Sequence, residues 1–448
     1  MFMKVYAKKN VLAGHVTVPG SKSHTIRALI LATMAEGVSH ISNPLPSNDC
    51  LSTVQAARQI GAEVTIGQNN LWTVKGAGTD LHLPVEKIDV GNSGSLMYFL
   101  CPVLSILEGE CTFTGDESIC KRPVNHLIEA LKQLGARARC LENEATPPFM
   151  FCGPIDVNKT LNTDGALSQY ISGFMMAATR LNGTLQICLQ NPKETPYLTM
   201  TKLWLESVGA KVQLSQDFKD IKVQGPVAIK AFDKTVPSDW EGVAFPLIAA
   251  LLSDSEIVID NVDGSGSQGD DKIVSVLQSA GAKLDWDKKA CTLTVHKGAK
   301  LTTKNCPGGE LRVNISDFPD AICALSTIAC FIEGKTVITD VEICRKKETD
   351  RIKAMISELS KLGAKLEEEK LEGGDDCLII YGRTKDELHG GECESFKDHR
   401  IAMALACFGL GLKDGETVTV NDAECCSVSF PHFYEVMNGI GAGFILGQ

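Results

Sequence analysis

Six stretches of the chain carry an amphipathic, helix-spaced pattern into the dipeptide Gly-Ala and on into a short strand-like run: "AARQIGAEVTI", "ALKQLGARARCL", "WLESVGAKVQL", "VLQSAGAKLDW", "ELSKLGAKLEE" and "EVMNGIGAGFIL". Their glycines are Gly61, Gly135, Gly209, Gly281, Gly363 and Gly441, separated by 74, 74, 72, 82 and 78 residues. A glycine that ends an apolar periodicity predicts a helix closed where φ turns positive. Ahead of each Gly-Ala by 24 to 29 residues, a tight polar turn feeds a β-rich run: "EGVSHIS", "EGECTFTG", "NGTLQICL", "SDSEIVIDNV", "EGKTVITDV" and "DGETVTVND". Before these turns lie almost unbroken apolar helices, as in "RALILATMAEG" and "AICALSTIACFIEG". One unit therefore reads helix, turn, strand, loop, helix, Gly turn, strand, and it occurs six times.

A chain of 448 residues exceeds a single ordinary core. Six units over two domains give three each. The predicted class is α/β (α+β): two pseudo-threefold domains with apolar helices buried centrally and sheets outside, facing across an interdomain cleft. Pro/Gly-marked crossings fall at "VPGSK" (18–22) and "TVPSDWEG" (235–242). They predict a discontinuous domain of 1–18 plus 239–448 and an inserted domain of 19–238, with the first strand belonging to the C-terminal half.

Composition narrows the function. The apolar runs 96–107 and 321–332 fall short of the roughly 18 residues of a membrane span. The opening "MFMKVYAKKN" has no export pattern, so a cytoplasmic protein with reduced thiols at its 17 cysteines is expected. No Cys-x-x-Cys pair occurs, and no metal site is expected. A net charge of −11 weighs against nucleic-acid binding, yet says little about a small anion held in one cationic cleft.

Four charged clusters break the amphipathic pattern: "GSKSHTIRA", "CKRPVNHL" (120–127), "CRKKETDRIKAM" (344–355) and "FKDHRIAMA" (396–404). The first could be an anion-holding helix start or simply a capped one, and Glu348 with Arg351 could be a surface ion pair. All four occupy loops or first helical turns at equivalent points of the repeats. Lys22, Arg27, Arg122, Lys347, Arg351 and Arg400 thus suit multiply anionic substrates, with Asp320, Glu348 and His399 as acid–base groups among them. The Gly-x-Gly-x-x-Gly match "GSGSQG" (264–269) is flanked by Asp263, Asp270 and Asp271, whose carboxylates would repel a pyrophosphate, and it reads as a loop of the fourth repeat.

The segments "PGSKS", "GNSGSLM" (91–97), "KRPVNHLIEAL" (121–131), "SQY" (168–170), "TPYLTMT" (195–201), "FPDA" (318–321), "RKKETDRI" (345–352), "DHRIAMA" (398–404) and "SFPHFYEVM" (429–437) together resemble the 5-enolpyruvylshikimate-3-phosphate synthases over the whole length. That resemblance implies two domains of three βαβαββ units and transfer of an enolpyruvyl group from phosphoenolpyruvate to shikimate-3-phosphate, through a tetrahedral intermediate and with loss of phosphate. It implies no cofactor and no metal, small-molecule substrates as the partners, no nucleic acid or membrane, and a monomer. Lys22, Arg122, Gln169, Arg351 and Arg400 would hold phosphoenolpyruvate, with the loop of Asn92 and Gly94 beside them. Ser23, Arg27, Ser168, Tyr197 and Lys347 would grip the acceptor. Asp320 would take the proton of the attacking hydroxyl, and Glu348 with Lys22 would deliver one to the methylene.

Several positions depart from the family pattern. Tyr98 and Val428 stand where cations are expected at the donor site, and Leu167 and Ile343 where Ser and Asn are expected at the acceptor site. Glu117 occupies the place of the reactive Cys of the UDP-N-acetylglucosamine branch. Two alternatives follow, a related transferase with another phosphorylated acceptor such as a nucleotide, and a binding paralogue without catalysis. Loss of donor-side cations predicts reduced sensitivity to glyphosate.

Overall fold

The computed structural model describes residues 3–68, 70–370 and 376–447. The chain divides into two compact units, Gly20–Pro237 and Met1–Pro19 with Ser238–Gln448.

The inserted unit, Gly20–Pro237, has three four-stranded sheets. In each, the first two strands in spatial order pair in parallel and the last two add antiparallel; Leu161–Thr163, Gly183–Leu189, Asp220–Gly225 and Lys211–Leu214 form one such set in that spatial order. Three helices, Lys22–Met34, Gly94–Leu104 and Ser168–Ala178, are buried on nearly every side. The close approach of the last two is set by Gly173, where a Cβ would overlap the Tyr98 carbonyl and lie 3.1 Å from Phe99 Cα. Amphipathic outer helices such as Asn125–Gln133 bury only the face turned to this core.

The discontinuous unit repeats the plan. Its buried helices are Trp240–Leu252, Ile322–Ala329 and His399–Gly411. The chain's own ends complete it: Lys4–Ala7 pairs with Val418–Asn421 and Ile445–Gly447, while Ala13–Thr17 pairs in parallel with Glu256–Asp260. The late strand Asp233–Thr235 does the same for the inserted unit by pairing with Val38–Ser42.

All six Gly-Ala glycines have positive φ, from 88° at Gly363 to 110° at Gly61. The alanine is part of the same device. At each copy its N–H bonds the carbonyl five residues back, from Ala62 to Ala57 at 3.0 Å through Ala442 to Met437 at 3.0 Å, and its methyl is buried. That six-to-one closure satisfies a carbonyl the helix would otherwise leave open.

Candidate active site

Chemistry-bearing residues gather where the buried helices begin. In the discontinuous unit Glu241 lies in the first turn of Trp240–Leu252, Asp320 in the turn Pro319–Ala321 leading into Ile322–Ala329, and Arg400 in the first turn of His399–Gly411. An outer helix, Arg351–Ser360, opens beside them with Lys347 and Glu348 just ahead of it. Arg400 donates to both Asp320 and Glu241. Arg351, wholly buried, donates from Nη1 to Asp320 at 2.5 Å, from Nη2 to Glu348 at 2.6 Å and from Nε to Asp398 at 2.8 Å. Lys347 Nζ donates to Asp320 at 3.3 Å.

The electrostatics follow from this crowding. Burial would raise the carboxyl of Asp320, but the charges of Arg400, Lys347 and Arg351 outweigh it and hold the group well below the usual carboxylate range. Burial also opposes the charge on Arg351, and Asp398, Glu348 and Asp320 together drive its pKa upwards instead. Asp270 is the opposite case: burial, with Glu241 and Asp320 close by, pushes its carboxyl well above the ordinary value. The pairing of Glu348 with Arg351 is thus no isolated surface ion pair but part of a network with five further groups.

Of the expected residues in this unit, Asp320, Glu348, Lys347, Arg351 and Arg400 form one connected cluster. His399 is buried at the same helix start, and its backbone carbonyl accepts from Cys426 Sγ at 3.8 Å.

In the inserted unit the expected residues fall into linked groups. Lys22 begins the first buried helix, with Nζ 3.2 Å from Asp49 Oδ2. Ser21 precedes it without a side-chain cap, so the first cluster is not the ordinary capped helix start that the sequence left open. Arg27 is buried, donating to Thr201 Oγ1 at 2.9 Å, Ser172 Oγ at 3.3 Å and the Tyr197 and Ser23 carbonyls, with its guanidinium 4.5 Å from the Phe99 ring centre. Burial lowers its pKa to about 9, which leaves it protonated near neutral pH. This arrangement ties three helices together and holds the backbone at Ser23 and Tyr197.

A second group surrounds the loop before Gly94–Leu104. Arg122 Nη2 donates to Asn92 Oδ1 and Ser118 Oγ, each at 3.3 Å, and Asn92 donates to Asp116 at 2.7 Å. A Cβ on Gly94 would lie 3.2 Å from Arg122 Nη1, so a larger residue here would push the guanidinium from its seat by a few tenths of an ångström. Gln169 joins the group by donating to Ser95 Oγ at 3.0 Å. Ser168 donates to Glu194 at 3.0 Å.

Asp49, Glu194, Glu241 and Asp398 were not among the residues expected from the sequence. Each is a lone carboxylate near a helix start, where an acidic residue ordinarily reads as a cap. Asp398 is indeed a cap, accepting from Arg400 N–H at 2.9 Å, and its second task on Arg351 lies 47 residues away in sequence.

The departures from the family pattern find local causes. Tyr98 donates to the Pro123 carbonyl at 3.2 Å and packs on His126, and burial pushes its phenol far up, so it carries no charge. Val428 ends the turn Ala423–Val428. Leu167 and Ile343 each pack against the apolar core of their own unit. Glu117 pairs with Lys121 at 2.6 Å on the surface. The "GSGSQG" loop turns on Asp263, which accepts from Ser265, Ser267 and Gln268. Among the described residues no group of three or more His, Cys, Asp or Glu is placed to hold a metal, and no helix is long and apolar enough to cross a membrane.

The family model described as EPSP synthase (3-phosphoshikimate 1-carboxyvinyltransferase) matches residues 6–437. A protein of Acetivibrio thermocellus named 3-phosphoshikimate 1-carboxyvinyltransferase is 35% identical over 442 residues, covering 99% of both chains. The structure of EPSP synthase from Acinetobacter baumannii superposes with a TM-score of 0.81 at 26% identity over the full length of both chains. The enolpyruvyl transferase NikO from Streptomyces tendae shares the fold, with a TM-score of 0.76 at 16% identity over 100% of this chain and 98% of its own.

Proposed function

The chain belongs to the EPSP synthase family, and on that premise we propose how its residues carry the enolpyruvyl group of phosphoenolpyruvate to a hydroxyl of shikimate-3-phosphate. Lys22, Arg122, Gln169, Arg351 and Arg400 hold the phosphate and carboxylate of the donor, with Asn92 and Gly94 shaping the seat of Arg122. Ser23, Ser168, Tyr197 and Lys347 hold the acceptor, and Arg27 fixes two of them in place. The acceptor hydroxyl attacks C2 of the donor and gives its proton to Asp320. Glu348, with Lys22, delivers a proton to C3, which becomes a methyl group. The tetrahedral adduct then loses that proton from C3 and phosphate from C2, restoring the double bond as an enol ether. His399, buried beside Arg400, is the remaining acid–base group.

The observation that carries this reading is the web of cations on Asp320. A carboxylate held so far below its ordinary range is a weak base. It becomes a competent one when a doubly charged ligand draws Arg400 and Arg351 away from it. Donor binding and base activation are then one event, which suits a reaction whose nucleophile must stay protonated until the electrophile is seated.

The test is to offer phosphoenolpyruvate with shikimate-3-phosphate, and separately with a uridine nucleotide, and to follow phosphate release. Release is expected with the first acceptor; release with the nucleotide alone overturns the assignment. An Asp320→Asn variant is expected to bind both ligands and turn over about two to four orders of magnitude more slowly. Near-normal turnover would move the base elsewhere.

A further inference from the structure

Glu241 belongs to no charged cluster of the sequence, yet its carboxylate reaches Arg400 across 159 positions of chain. The Asp239 side chain caps its helix by accepting from the Glu241 N–H at 3.1 Å, which fixes the first turn and with it the direction of this side chain. Arg400 is nearly enclosed, with 4% of its side chain exposed, and Glu241 little more open at 11%. The two Nη atoms of Arg400 are divided, one to Asp320 and one to Glu241. A guanidinium recognises a phosphate or carboxylate through such a pair of parallel donors. Here both are already engaged by the protein's own anions.

Three of the neighbouring carboxylates are accounted for. Asp320 and Glu348 move protons in the proposed reaction, and Asp398 is enclosed between Arg351 and a helix end. Three cations, Arg351, Arg400 and Lys347, are matched by four carboxylates once Glu241 is counted with these three. An anionic donor meets a cluster with no surplus of positive charge. Asp320 is shared by Arg400, Arg351 and Lys347, so without Glu241 the buried Arg400 guanidinium would be under-compensated in the ligand-free protein, which gives Glu241 its purpose there.

We propose that Glu241 is a resident counter-ion of the donor site, occupying the Nη group of Arg400 that the phosphoenolpyruvate anion takes and setting donor affinity because it must be displaced. The proposal rests on the reading of Arg400 as a donor contact. Glu241 tunes affinity for the anion and takes no part in bond making. The same competition applies to inorganic phosphate, the anion released at the end.

The experiment is steady-state kinetics at saturating shikimate-3-phosphate. In Glu241→Gln the KM for phosphoenolpyruvate is expected to fall about fivefold or more, since a charge-assisted contact no longer has to be broken, while kcat changes far less. Inhibition by inorganic phosphate tightens by a similar factor. Glu241→Asp keeps the charge and returns the donor KM towards the original value. Should Glu241→Gln fail to fold, Glu241→Ser carries the same expectation. A donor KM that is unchanged or raised in the folded uncharged variant overturns the proposal. Arg400→Lys separates the two ideas: a raised donor KM there, with no change on removing the Glu241 charge, rejects the counter-ion alone. No change in Arg400→Lys rejects the role of Arg400 itself.

Discussion

Asp398→Ala removes a carboxylate with no exposed surface that serves two partners. Arg351 loses the acceptor for Nε at 2.8 Å and a second contact from Nη2 at 3.4 Å, and the helix His399–Gly411 loses the acceptor for the Arg400 N–H. Breaking a buried ion pair from one side costs about 3–5 kcal/mol, and losing a helix cap costs about 1 kcal/mol more. Arg351 keeps Asp320 and Glu348, each within 2.6 Å, so the pair term belongs at the low end. The expected loss is about 4 kcal/mol. Asp398→Asn keeps an oxygen for the cap and removes only the charge, for about 1.5–3 kcal/mol. The assay is urea unfolding by tryptophan fluorescence in a Trp72→Phe, Trp204→Phe background, where Trp240 and Trp286 report on the discontinuous unit alone. With a slope of about 2 kcal/mol per molar urea, Ala lowers the midpoint by about 2 M and Asn by about 1 M. A shift under about 0.5 M for Ala, or an Asn variant as unstable as Ala, refutes the reasoning.

Other outcomes test different parts of the structure. Gly94→Ala puts a methyl 3.2 Å from Arg122 Nη1 and displaces the guanidinium by a few tenths of an ångström; the KM for phosphoenolpyruvate is expected to rise several-fold, and an unchanged value would separate this loop from the donor. Burial raises Asp271 to about 6, so between about pH 4 and 6 the folded chain binds more protons than the unfolded one and stability falls as pH rises. Asp271→Asn is therefore expected to raise the melting temperature at pH 8 and not at pH 4, with about 1 kcal/mol at stake after solvent screening, and equal effects at both pH values would dismiss the burial argument. Glyphosate is expected to inhibit weakly, because Tyr98 and Val428 offer no positive charge; potent competition with phosphoenolpyruvate would show that the other cations suffice.

The fold was largely legible because its signals are local and repeated. Each Gly-Ala combines an apolar helix face, a left-handed turn and a strand within about a dozen residues, and six copies outweigh the ambiguity of one. The role of the alanine was less visible, since a six-to-one bond and a buried methyl are properties of the closed turn. The cations of the candidate site also stood out, as Lys and Arg at helix starts break the amphipathic pattern. Their partners did not. Glu241 and Asp398 look like ordinary first-turn or capping acids among the 55 acidic residues, and only folding brings them to Arg400 and Arg351. Arg27 stood out as a cation, while its contacts with Thr201, Ser172 and the face of Phe99 come only from the packing of three other helices around it.

Because one helix ending is copied six times in a single polypeptide, the molecule contains its own set of replicates. The same Gly→Ala exchange made at Gly61, Gly135, Gly209, Gly281, Gly363 and Gly441 would impose one backbone penalty in six surroundings. The scatter among the six would then isolate what neighbours contribute, from the Val227 methyl at 4.0 Å beside Gly209 to the Lys300 carbonyl pressed against Gly281.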